Sequence, residues 1–192
     1  MTATLSLPRH HSASDTPVGH ADAREILAAA IAILDQGADL LRALPAATYT
    51  RKVPAVFDAS IGGHIRHCLD HFLSLLRDLG ASEVNYDHRQ RDPRVENEPD
   101  FARALTLQLR ALLLELSEET LARPVTARCE VSYSHGHSPA TGSSFGRELV
   151  YAIAHAIHHY ALIAVMARLM GAELPAHFGV APSTVAYERR KA

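Results

Sequence analysis

Two short stretches of the chain each carry three histidines at helical spacing. These histidines are His64, His67 and His71 in the first stretch and His155, His158 and His159 in the second. Residues three, four or seven apart lie on the same face of a helix. His155 and His159 can therefore direct ring nitrogens at one point, and a histidine of the first stretch can complete a set of three. Such a set leaves coordination positions of a divalent metal ion open, as in reactive metal sites.

Histidines at this spacing also occur without a metal, as hydrogen-bonded core residues. The second stretch is apolar on nearly every side, however, and unpaired imidazoles inside it would be costly. A metal ion shared between the two stretches satisfies both groups, so we favour that interpretation. Which histidine of the first stretch binds stays open, because His64 and His71 lie nearer its apolar stripe than His67 does.

A divalent ion held by three neutral imidazoles keeps its full double positive charge. It would lower the pKa of bound water to about 7 and deprotonate a coordinating thiol, so hydrolysis and thiol transfer are the reactions expected. The remaining imidazole N–H groups need acceptors. Asp70 and Glu148 are candidate acceptors, the alternative being that both are solvated. Tyr151 and Tyr160 flank the second stretch and are candidates for orienting substrate, the alternative being that they are core residues.

Four segments have the apolar periodicity of amphipathic helices, and together they predict an all-α four-helix bundle. The segments are residues 21–44, 60–80, 99–121 and 144–171. We expect Ser60 to cap the second helix, Ser143 or Ser144 to cap the fourth, and Gly171 to end the fourth. The domain is expected to cover residues 20–175.

The rest of the chain lacks helical periodicity. Residues 81–97 and the turn-rich residues 135–142 are predicted as loops, and residues 125–133 as a short strand or hairpin arm inserted before the last helix. Residues 1–19 are predicted to be a disordered leader without a signal peptide. Residues 176–192 are predicted to be a tail that packs along the surface and frays. His88, His135, His137 and His177 are given no role in binding.

Composition limits the classes of partner. Apolar residues make up 47% of the 192 residues, and the formal net charge is −2, which argues against nucleic acid. The apolar residues 149–170 are long enough to span a membrane but contain three histidines and Arg168, so a core helix is expected instead. The two cysteines cannot form a disulfide framework, which favours a cytoplasmic protein, with Cys68 as a core thiol.

The blocks S-I-G-G-H-I-R-H-C-L-D and H-A-I-H-H, which begin at Ser60 and His155, resemble the DinB/YfiT-like family of metalloenzyme-type four-helix bundles. They also look like the corresponding domain of the sulfoxide synthases of ergothioneine biosynthesis. The resemblance implies the metal ligands His67, His155 and His159, with His64 as second choice. It further implies a zinc, nickel or iron ion and a small-molecule substrate such as a low-molecular-weight thiol.

We therefore expect a metal-dependent enzyme of the thiol-transferase or hydrolase type. The alternative is a non-catalytic bundle, stress-associated or serving dimerisation, with a structural metal or none. A homodimer is expected in either case, because helical bundles with exposed apolar faces often associate.

Overall fold

The structure is a computed structural model that describes residues 20–133 and 136–191. Its helices are α1 (His20–Ala43), α2 (Ala46–Thr50), α3 (Ile61–Leu76), α4 (Pro93–Asn97), α5 (Pro99–Leu114), α6 (Glu118–Ala122), α7 (Phe145–Leu169) and α8 (Pro182–Arg189). Its strands are β1 (Glu83–Asn85), β2 (Pro124–Arg128) and β3 (Ala140–Ser144). The predicted disordered leader, residues 1–19, and His135 lie outside the described residues.

The four long helices α1, α3, α5 and α7 form the bundle that the periodicity predicts. α1 packs against α5 and α7, and α3 packs against α7 and α5. Apolar side chains from all four helices meet in one core, whose fully buried members include Leu34, Ile65, Phe72, Leu109, Leu113 and Ile163. The predicted fold class, an all-α bundle with a small strand insertion before the last long helix, is confirmed.

Local capping groups fix where the two histidine-bearing helices begin. The Ser60 hydroxyl accepts a hydrogen bond from the backbone N–H of Gly63 at the start of α3. Ser144, rather than Ser143, accepts from Arg147 at the start of α7. Gly171 follows α7 with a φ of 73°, in the left-handed region that favours glycine. The hydroxyls of Ser60 and Ser144 satisfy backbone N–H groups that a helix leaves unpaired at its first turn.

Two of the predicted helices are too long. α3 ends at Leu76, before the predicted stop at residue 80. The helix predicted for residues 99–121 ends at Leu114, and a separate short helix, α6, follows. The hydroxyl of Ser117 accepts from the backbone N–H of Thr120 and so begins α6 independently. A local capping residue therefore overrides an apolar pattern that continues across the break.

The regions predicted as loops contribute to one three-stranded sheet. β1 pairs in parallel with β2, with Glu83 opposite Thr126, and β2 pairs antiparallel with β3, with Val125 opposite Ser143. The loop prediction for residues 81–97 is wrong where β1 and α4 form. The turn predicted for residues 135–142 likewise overlaps the start of β3. β2 overlaps residues 125–133, for which a strand is predicted, whereas β1 and β3 are short and largely polar, so no local alternation marks these two.

Helix α7 is long and apolar enough to cross a membrane by length and composition alone. In the structure it packs against α1, α3 and α6. Its buried residues, among them Leu149, Ala156 and Ile163, belong to the common core. We therefore interpret α7 as the central core helix of the bundle.

The C-terminal segment is more ordered than predicted. Phe178 is buried, and its ring stacks on that of Tyr160 with centroids 4.9 Å apart. α8 then begins at Pro182, a residue whose fixed φ suits the first position of a helix. The sequence did not predict this helix within the tail, residues 176–192, because its short and mostly polar sequence has too little apolar periodicity to reveal it.

Candidate metal centre

The packing of α3 against α7 brings three predicted ligands together. The ring centroid of His67 lies 4.8 Å from that of His155 and 4.6 Å from that of His159. One nitrogen from each of the three rings can be chosen so that all lie within 4.8 Å of one another. The side chains therefore converge on a common point between the two helices, as the helical spacing predicts.

Two further histidines of α3 join this group. The Nδ1 atoms of His64 and His159 are 2.8 Å apart, and the ring of His71 lies 4.1 Å from that of His155. We call the five residues the histidine cluster: His64, His67, His71, His155 and His159. All three histidines of α3 thus reach the cluster, with His67 in ring contact with both α7 members. His158 is exposed, although its ring lies 5.3 Å from that of His159.

The nitrogens of the cluster are incompletely satisfied by the protein itself. Nε2 of His67 faces Nε2 of His155 at 2.8 Å. A neutral imidazole has one N–H and one lone pair, so facing nitrogens either share a proton or both offer lone pairs to a cation. Within the described residues, Nε2 of His64 and Nδ1 of His71 are buried and have no hydrogen-bond partner. Such orphaned buried groups are rare in proteins and fit a site that binds an additional group.

Burial holds the cluster in its neutral form. It lowers the pKa of His67 to about 4, and the positive charge of Arg89 adds to the effect. Burial and the neighbouring imidazoles lower the pKa of His159 to about 3 and that of His71 to about 2. The pKa values of His64 and His155 are lowered by burial as well. Lone pairs are therefore available at neutral pH, which metal coordination by imidazole requires.

Arg89 is a member of the site that the sequence did not reveal. Its Nη1 lies 2.8 Å from Nδ1 of His67 and 3.3 Å from Nε2 of His71. It reaches them from the segment between β1 and α4, which was predicted as a loop. No motif marks this arginine, because its contact with α3 depends on how the sheet folds back onto the bundle.

The two carboxylates predicted to support the imidazoles have other partners. Glu148 is buried and accepts hydrogen bonds from the Tyr86 hydroxyl at 2.8 Å and the Ser143 hydroxyl at 2.6 Å. Asp70 is also buried, which raises its pKa, and its carboxylate accepts from the backbone N–H of Arg91. Glu148 therefore ties the sheet to α7, and Asp70 holds the segment that carries Arg89.

The two candidate tyrosines differ in position. The ring of Tyr151 lies 5.7 Å from the rings of both His71 and His155, so it borders the cluster. Tyr160 is buried in the core, and its hydroxyl donates to the carbonyl of Ile33 at 3.1 Å. A substrate-orienting role for Tyr160 is therefore wrong. It follows His159 directly, and consecutive helical residues point about 100° apart.

A cavity of about 340 Å³ borders the histidine cluster. Its lining includes His64, His67 and His159 of the cluster and the charged residues Lys52, Arg66 and Glu96. Nη1 of Arg66 forms an ion pair with Glu96 at 2.5 Å on its wall. Three members of the cluster are thus accessible from one polar cavity.

Comparisons with known proteins identify the family. The sequence profile of the DinB family matches residues 34–190. The crystal structure of a DinB-like protein, YjoA of Bacillus subtilis, is similar in fold, with a TM-score of 0.58 and 21% identity over 80% of this chain and 97% of that one. FK506-binding protein 5 of Rhizopus delemar is 36% identical over 108 residues, which are 56% of this chain but only 28% of that longer protein. The chain described here belongs to the DinB family.

Proposed function

We propose that the protein is a metal-dependent enzyme that holds a zinc, nickel or iron ion with His67, His155 and His159. The observation that carries this proposal is the convergence of their ring nitrogens within 4.8 Å of one another. Imidazole is a suitable ligand for all three metals. Burial keeps the three rings neutral, so each has a lone pair that can bind a cation at neutral pH.

The accessible side of the cluster supports catalysis rather than a purely structural metal. Structural metal sites are closed by four protein ligands, whereas catalytic sites keep a position open. Here the 340 Å³ cavity is lined by His67 and His159 themselves. When bound, the ion would supply Lewis acidity and a lowered pKa for a coordinating water or thiol.

The cavity also suggests the kind of substrate. Lys52 and Arg66 contribute positive charge to its wall, and Asp58 and Glu96 contribute negative charge. Mixed charge of this kind favours a small polar molecule that carries ionised groups of its own. We propose a low-molecular-weight thiol as one substrate, with thiol transfer as the reaction and hydrolysis as the second candidate.

Metal content tests the site. The protein would be purified without a histidine tag, and its metal content would be measured by mass spectrometry. We expect about one ion per chain, retained by the exposed control variant His158→Ala but lost from His67→Ala, His155→Ala and His159→Ala. If none of these three variants loses metal, the ligand assignment is wrong.

A cobalt-substituted sample separates catalysis from a structural role. A thiol that enters the open position changes the ligand field, so its addition should shift the visible absorption bands of cobalt. Under the alternative, a stress-associated or dimerisation bundle, chelation would lower the melting temperature but thiols would leave the spectrum unchanged. That second result would favour the non-catalytic bundle.

Location and assembly are part of the same proposal. Cys68 and Cys129 are free thiols, which fits a reducing cytoplasm without membrane or nucleic-acid partners. The surface of α5 exposes Leu107, Leu112 and Leu114, so we propose a homodimer. Light scattering would report twice the chain mass for a dimer and the single chain mass otherwise.

A further inference from the structure

The guanidinium of Arg89 and the proposed metal ion would both interact with the imidazole of His67. We infer that Arg89 is an internal competitor of the metal ion, because its guanidinium must leave His67 before an ion can bind between His67 and His155. This inference rests on the metal site proposed above. It adds a residue that limits metal affinity without being a ligand, and it makes the segment between β1 and α4 part of the metal centre.

The contact with Arg89 determines which nitrogen of His67 carries the proton. A guanidinium has only donors, so Nδ1 of His67 must accept the hydrogen bond from Nη1, 2.8 Å away. The single proton of the neutral ring then sits on Nε2. That Nε2 faces Nε2 of His155 at 2.8 Å and donates to it.

Metal binding requires the opposite tautomer. An ion bound through Nε2 of both His67 and His155 would need a lone pair from each, so the proton of His67 would have to move to Nδ1. The new Nδ1–H would point at an N–H group of Arg89 across 2.8 Å, with no acceptor between the two donors. The positive charges of the ion and the guanidinium would also repel each other. Both cations cannot use His67 at the same time.

Arg89 is held in place by the sheet. The backbone N–H of Tyr86 donates to the carbonyl of Arg128 of β2, and the Tyr86 hydroxyl donates to Glu148 of α7. Only two residues lie between this anchor and Arg89. Nη1 of Arg89 also lies 3.3 Å from Nε2 of His71, while its Nε is buried without a partner in the described residues. The guanidinium is therefore positioned by the fold yet incompletely satisfied, which suits a group that is displaced on binding.

The test compares two arginines of the same segment. Arg89→Gln and the control Arg91→Gln each remove one positive charge, but Arg91 is exposed and makes its hydrogen bond to Asp70 through its backbone, which the substitution keeps. Zinc affinity would be measured by competition with a chelator of known affinity. We expect Arg89→Gln to bind zinc at least about tenfold more tightly than the wild type, and Arg91→Gln to stay within about twofold.

A second measurement uses the unaltered protein and does not depend on how the variants fold. Nitrogen-15 NMR of the histidine rings should show His67 protonated on Nε2 without metal and on Nδ1 after zinc is added. Unchanged or weaker zinc binding by Arg89→Gln, or a proton already on Nδ1 in the metal-free protein, would overturn the inference and leave the metal site standing. If neither the wild type nor Arg89→Gln binds zinc, the proposed function fails with it.

Discussion

The bundle contains two long helix interfaces of opposite chemistry. Where α1 packs against α5, the buried side chains are mainly apolar, as with Leu34, Leu41, Leu109 and Leu113. Where α3 packs against α7, the histidine cluster occupies the contact. Apolar burial stabilises the first interface directly, by about 25 cal/mol for each Å² removed from water. The second interface buries imidazole nitrogens, two of which lack partners in the described residues. The comparison teaches that one interface buries mainly apolar surface, whereas the other gathers the imidazoles that the proposed metal site needs.

The histidine interface does not weaken α3 as a whole, because this helix has a second buried face. Cys68, Leu69 and Phe72 alternate with the cluster residues along α3 and lie in the common core. These apolar residues can therefore hold α3 in the common core when no ion is bound. We expect the metal-free protein to be folded but less stable than the loaded one.

The largest effect is expected from Leu109→Ala in the apolar interface. Leu109 is fully buried, and its truncation should lower the free energy of unfolding by about 2–5 kcal/mol. Because the residue lies outside the histidine cluster, the loss should be equal with zinc and with a chelator. Urea unfolding in both conditions would measure it. A loss that appears in only one condition would contradict the separation of the two interfaces.

Metal removal should cause the next largest loss of stability, and this loss should require an intact histidine cluster. At a free metal concentration about 100 times the dissociation constant, binding stabilises the folded state by about 2.7 kcal/mol. Chelation should then lower the melting temperature by roughly 5–11 °C for a chain of this size. His155→Ala should show no such shift. An equal shift in this variant would mean that the ion binds elsewhere.

His71→Leu is expected to raise the free energy of unfolding of the metal-free protein, by less than the losses above. His71 is buried, and its Nδ1 has no partner in the described part of the chain. Leaving such a group unsatisfied costs about 1–3 kcal/mol, and leucine fills similar space without a polar atom. Leucine cannot accept the hydrogen bond from Arg89, and this loss offsets part of the gain. We therefore expect the free energy of unfolding to rise by about 1 kcal/mol. Destabilisation in urea would show that the cluster is already satisfied without metal.

The smallest effect is expected from His158→Ala. His158 is exposed on α7 next to the cluster member His159. Surface substitutions usually change stability by less than about 0.5 kcal/mol, so both stability and metal content should stay at wild-type values. Loss of metal from this variant would extend the site to the outer face of α7.

Local features made the helices and the proximity of His155 and His159 predictable. Ser60 and Ser144 cap helices through contacts three residues away, and the four-residue spacing of His155 and His159 places both on one face of α7. The same spacing rules could not choose among the histidines of α3, and the structure shows why. His64, His67 and His71 share a face, so all three reach the cluster.

The features that could not be predicted from the sequence depend on contacts between distant segments. β1 and β2 pair across about forty residues, and this pairing carries Arg89 to α3. β1 is short and largely polar and lacks the alternation that would identify it, whereas β2 overlaps the stretch predicted as a strand. Tyr160 was placed at the site because it neighbours His159 in sequence, whereas the turn of the helix directs it into the core.

Crystallography of the zinc-loaded protein tests the central claim most directly. Data collected at the zinc absorption edge would locate the ion by its anomalous signal. We predict one strong peak between α3 and α7, about 2.0–2.1 Å from Nε2 of His67, Nε2 of His155 and a ring nitrogen of His159. A peak elsewhere, or no peak between these helices in a sample that carries stoichiometric zinc, would contradict the account.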